Sequence, residues 1–78
     1  MESYLLLECT SGTIWKVAEA ILKIEGIKMA HVVTGNYDVI AFAECSNIDE
    51  LTNIIQKVQA LNGVEKTQTA VAMPKQDI

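Results

Sequence analysis

The sequence predicts a single α+β domain built on a four-stranded antiparallel sheet with two helices on one face. Three observations lead there. Two segments repeat apolar residues at helical spacing, four others read as strands, and the order along the 78 residues is strand, helix, strand, strand, helix, strand. That order is one strand-helix-strand unit interleaved with another, and a faint repeat of about 36 residues supports the doubling. Cys9-Thr10-Ser11 recurs as Cys45-Ser46-Asn47, and Glu25-Gly26-Ile27 as Asn62-Gly63-Val64.

The first strand, Tyr4 to Cys9, and the third, Val39 to Cys45, are almost wholly apolar and belong at the centre of the sheet. The second, Ile27 to Thr34, and the fourth, Val64 to Met73, carry Lys28, His31, Lys66 and Gln68 and suit the edges; Pro74 stops the last one. In the first helical segment Ile14, Val17, Ala18, Ile21 and Leu22 form the apolar stripe, and Gly26 is placed to end a helix of about four turns. Trp15 falls just beside the stripe, at a helix margin or a subunit contact. The second helix begins with a capping-box signature, Asn47 followed three residues later by Glu50. Its stripe is Ile48, Leu51, Ile55 and Val58, and Asn62-Gly63 closes it. The whole is the ferredoxin-like βαββαβ arrangement, one domain over residues 1–78.

Helices cover one face of such a sheet, yet both faces of the central strands are apolar. Leu5, Leu7 and Cys9 alternate with Tyr4 and Leu6, and Ile40 and Phe42 with Val39, Ala41 and Ala43. A wetted antiparallel face alternates cleanly with polar residues. The uncovered face is therefore expected to meet a second copy in an isologous dimer, which also reinforces a domain small enough to be marginal alone.

Composition narrows the function. Half the chain is hydrophobic and 21% charged, which argues against disorder. Six lysines, no arginine and ten acidic residues leave a net charge of −4, unlike a free-standing nucleic-acid binder, whose affinity comes from neutralising phosphates. The apolar run Tyr4 to Leu7 is too short for a signal peptide core or a membrane span, so a cytoplasmic protein with reduced Cys9 and Cys45 is expected. Those cysteines end the two central strands, where they could lie near one another. They read as small buried hydrophobes, and with no Cys-x-x-Cys or ligand cluster neither a metal nor a cofactor is expected. His31 has no evident partner acid or nucleophile, and no catalytic motif is recognisable.

Two runs remain. Gly35-Asn36-Tyr37-Asp38 joins the second and third strands; it reads as a hairpin turn, or as a nest of backbone N–H groups for a carboxylate, with Asp38 as countercharge for an ammonium and Tyr37 as a wall. Thr67-Gln68-Thr69 sets two threonines on one face of the last strand, as ordinary strand residues or as polar contacts for a ligand. Together, Val32-Val33-Thr34-Gly35-Asn36-Tyr37-Asp38-Val39 and Leu61-Asn62-Gly63-Val64-Glu65-Lys66-Thr67-Gln68-Thr69 closely resemble the effector-binding, or RAM, domain of the Lrp/AsnC transcription regulators. The resemblance covers nearly the whole chain.

It implies a dimeric α/β barrel-type assembly by sheet-on-sheet packing, higher oligomers, commonly octamers, and a free amino acid as effector bound between dimers. It assigns the ligand carboxylate to the backbone of Gly35 to Asp38, its amino group to Asp38, and polar contacts to Thr67 and Thr69. Full-length regulators carry an N-terminal helix-turn-helix domain, whereas this chain starts at the first strand. A stand-alone, non-enzymatic sensor is expected, one that forms its own ring or joins a full-length regulator. The alternatives are an ACT-type regulatory module beside an enzyme and a small monooxygenase-like dimeric barrel.

Overall fold

The structure is a computed structural model that describes residues 1–76. Its elements are β1 (Glu2–Cys9), α1 (Ile14–Ile21), β2 (Ile27–Val32), β3 (Val39–Glu44), α2 (Ile48–Gln59) and β4 (Val64–Val71). The four strands form one antiparallel sheet in the order β2-β3-β1-β4, so the two most apolar strands are central and the two mixed ones are edges, as the sequence predicts. Leu5 and Leu7 of β1 and Val39, Ala41 and Ala43 of β3 share the helix-covered face with Ala18 and Ile21 of α1 and Ile54 and Val58 of α2 in one core. Leu5, Leu7 and Ile21 are fully buried, each contributing about 1.5–3 kcal/mol through loss of apolar surface to water.

Both helices depart from the predicted stripes. α1 is regular for eight residues rather than four turns. After Ile21 the chain tightens into i→i+3 bonds, Lys23 N–H to the Ala20 carbonyl and Ile24 N–H to that of Ile21, each 3.1 Å. With fewer residues per turn each one steps farther around the axis, Leu22 is exposed, and Trp15 is 72% exposed instead of packed at a margin. The cap of α2 is as predicted: Asn47 Oδ1 accepts from Glu50 N–H at 2.9 Å, and the Glu50 carboxylate accepts from Ser46 N–H at 2.7 Å. Its buried line, however, runs through Leu51, Ile54 and Val58. Ile48 is 58% exposed and Ile55 half-buried, because Ile54 is the residue turned toward the loop that ends α1.

Cys9 and Cys45 are not neighbours. Because β1 and β3 run antiparallel, their C-terminal ends lie at opposite ends of the sheet, Cys45 beside Met1 through a 2.9 Å backbone bond and Cys9 beside Asp38.

The second face of the sheet carries Tyr4 and Leu6 of β1, Ile40 and Phe42 of β3, and Met29 and His31 of β2. Tyr4 and Phe42 are register partners whose ring centroids stand 5.2 Å apart at 53°, a tilted aromatic pair. No element among the described residues covers this face, and Tyr4 is 44% exposed on it.

Candidate functional site

The hairpin between β2 and β3 is tied to three strands. Val33 N–H donates to the Asp38 carbonyl at 2.9 Å and closes the loop, within which Gly35 takes φ of 105°. On the other side β1 and β3 pair as far as Leu7 and Val39, and Asp38 finishes that ladder. Its N–H donates to the Leu7 carbonyl at 2.8 Å, and its carboxylate accepts the next N–H on that edge, Cys9, at 2.7 Å. Asp38 is half-buried there and satisfies an amide for which the β1–β3 ladder supplies no carbonyl. Its second oxygen has no protein donor among the described hydrogen bonds.

Tyr37 points elsewhere. Its hydroxyl donates to Oε1 of Gln68 on β4, and Gln68 is the register partner of Leu6, on the uncovered face. A phenol leaving the start of β3 for β4 passes over the intervening β1. Gly35 and Asn36, at the tip, are exposed, and a Cβ built on Gly35 would meet nothing within 4 Å.

The predicted site residues are thus only partly gathered. Gly35, Asn36, Tyr37 and Asp38 form one hairpin. Thr67 and Thr69 are register partners of Leu7 and Leu5, which puts both on the helix-covered face, opposite to Gln68. Thr67 is already engaged by α2, its Oγ1 accepting from Gln59 Nε2 at 3.3 Å. Thr67 and Asp38 flank Leu7 from its two sides, near the same end of the sheet, while Thr69 lies two residues farther along. The partner that sequence reasoning missed is Gln68. The Thr-Gln-Thr alternation sends it to the uncovered face, but its pairing with Tyr37 depends on the strand order.

A cleft of about 320 Å³ lies away from the hairpin, lined by Gly26, Lys28, Glu44, Glu50, Ile54 and Lys57 among others, and includes none of the predicted residues. The hairpin tip, by contrast, is exposed at Gly35 and Asn36.

Burial pushes the Cys9 thiol above its ordinary pKa, and the Asp38 and Glu65 carboxylates push it the same way. The thiolate is disfavoured, so Cys9 is less nucleophilic than a free thiol. Iodoacetamide should label it with a pH midpoint above that of a free thiol, and Asp38→Asn should lower that midpoint. An unshifted midpoint in rates followed by peptide mass mapping would contradict this.

The family profile described as the Lrp/AsnC ligand binding domain matches residues 2–76. The chain belongs to that family. Among curated relatives of this Lrp/AsnC domain, the transcriptional regulator FL11 of Pyrococcus furiosus is 28% identical over 71 residues, which cover 91% of this chain and 47% of the regulator. A homocitrate synthase of Sulfolobus acidocaldarius is 32% identical over 59 residues, 76% of this chain but only 13% of the synthase. The chain therefore spans about half of one relative and about an eighth of the other. Among solved structures, Pyrococcus horikoshii PHS023 superposes with a TM-score of 0.87 at 27% identity, covering 95% of this chain and 90% of that one. The chain is thus a regulatory-type domain of the Lrp/AsnC family. No helix among the described residues is long and apolar enough to cross a membrane.

Proposed function

We propose that this Lrp/AsnC domain is a cytoplasmic, non-enzymatic sensor that binds a free amino acid at the Gly35–Asp38 hairpin and responds by changing how its copies associate. The observation that carries this reading is the hairpin itself. It combines an exposed Gly-Asn tip with a carboxylate that is held in place by Cys9 N–H and keeps one oxygen for an ammonium group. Backbone N–H groups of Gly35, Asn36 and Tyr37 receive the ligand carboxylate, the Asp38 N–H being committed to the Leu7 carbonyl. Thr67 and Thr69, on the far side of β4 from Gln68, contribute only around the edge of that strand, which suits a ligand lodged where chains meet.

The uncovered face with Tyr4, Leu6, Ile40 and Phe42 is the surface through which two copies pair, and dimers then build the larger ring, an octamer in the commonest form. A ligand that prefers the assembled state drives association by mass action. With six lysines against ten acids, the domain acts on transcription by joining a full-length regulator rather than by touching DNA.

Native mass spectrometry and gel filtration with light scattering, across the standard amino acids tested singly, decide the matter. The expected result is a multiple of the single chain whose distribution shifts with at least one amino acid. A peak of single-chain size under every condition overturns the proposal.

The homocitrate synthase relative favours a second reading, a regulatory subunit of a metabolic enzyme, in the manner of ACT-type modules. Stable copurification with such an enzyme, in place of a DNA-binding regulator, would select it.

A further inference from the structure

We infer that the hydrogen bond from Tyr37 to Gln68 is the link by which occupancy of the Gly35–Asp38 hairpin alters association through the uncovered face of the sheet. The inference rests on the amino-acid-binding reading above and adds the route of its regulation. Gln68, Leu6, Ile40 and His31 are successive register partners, one from each strand, and form a row across the whole uncovered face. Tyr37 fastens the hairpin to the β4 end of that row.

The neighbouring residue cannot move with it. Asp38 is anchored on β1 by Leu7 and Cys9 and on β2 by Val33. The freedom left to the hairpin lies in residues 35–37, where Gly35 has open space around it. A carboxylate drawing the N–H groups of this segment inward therefore turns the Tyr37 backbone against a fixed Asp38. The phenol transmits the turn to Gln68 and so to the contact surface. By linkage the effect is reciprocal, and a second copy that fixes Gln68 changes ligand affinity by the same factor.

One neutral hydrogen bond limits the coupling to about 2- to 10-fold in the association constant. The test uses the intact chain and the amino acid giving the largest shift among the standard set. Sedimentation measures the association constant with and without it, and calorimetry measures its affinity. Gln68→Ala should still bind the amino acid, with an affinity that no longer depends on association, and show no ligand-dependent change in association. Gln68→Glu, which keeps an acceptor for the phenol, should restore the change. Tyr37→Phe should lose it as well, with no further loss in the Tyr37→Phe, Gln68→Ala double variant. A bond that served stability alone would lower melting temperature and leave the ratio of association constants intact. A wild-type ratio that survives both Gln68→Ala and Tyr37→Phe overturns this inference and spares the binding reading. A wild-type protein whose association no amino acid alters overturns both.

Discussion

Gly63→Ala should destabilise the domain by about 2–4 kcal/mol, the largest single loss expected from adding one methyl group. Two costs combine. Gly63 has φ of 98°, where an L-residue loses roughly 1–2 kcal/mol, and the new Cβ would stand 2.7 Å from Thr13 Cβ and closer still to its hydroxyl. Thr13 cannot easily retreat. Its hydroxyl donates to the Thr10 carbonyl at 2.7 Å, while Thr10 N–H donates to the Gly63 carbonyl at the same distance. The β1–α1 and α2–β4 connections are therefore clamped together, and the methyl would enter the clamp. Gly12→Ala supplies the comparison, since Gly12 has φ of 88° with nothing within 4 Å of its Cβ position, and should show only the torsional cost. Urea titrations at fixed protein concentration measure both; equal midpoints for the two variants would refute the steric part.

Asp38→Ala should cost about 1–3 kcal/mol, because it strips Cys9 N–H of its acceptor, and should also abolish any rise in melting temperature caused by an amino acid. The two effects separate in Asp38→Asn. The amide oxygen still accepts from Cys9, so stability should stay close to wild type, whereas the charge that meets an ammonium group is gone. An amino-acid-induced rise that persists in Asp38→Asn removes Asp38 from the binding role and leaves it as the residue that closes the β1–β3 ladder. Melting curves with and without the amino acid read both quantities from one experiment.

What the chain announces in one dimension is its topology. The contrast between the almost wholly apolar Tyr4 to Cys9 and the Lys- and Gln-bearing strands reveals centre and edge, because charged residues are favoured on exposed edge strands. The Asn47–Glu50 pair is equally plain, since a cap is settled within four residues. Helix boundaries and faces are less so. Leu22 is as apolar as Ile21, and only the change to i→i+3 bonding turns it into solvent. Ile48, Ile54 and Ile55 lie within about two turns and compete for the stripe, and the packing of Ile54 against the Gly26 loop chooses among them. The hairpin was recognisable as a unit through Gly35 and Asp38. The acceptor for Tyr37 was not, because Gln68 lies 31 residues away and comes into reach only when β4 is laid beside β1.

The separation of the two thiols has an oxidative consequence. Cys45 is level with Met1, so roughly 25 Å of β1, at about 3.3 Å per residue, lies between it and Cys9, far beyond the ~7 Å between Cα atoms that an S–S bond tolerates. Cys9 and Cys45 of one chain cannot be crosslinked to each other across this sheet, so a disulfide between these cysteines under oxidising conditions joins different molecules. A ladder of covalent multimers on a non-reducing gel would then record which molecules had been touching.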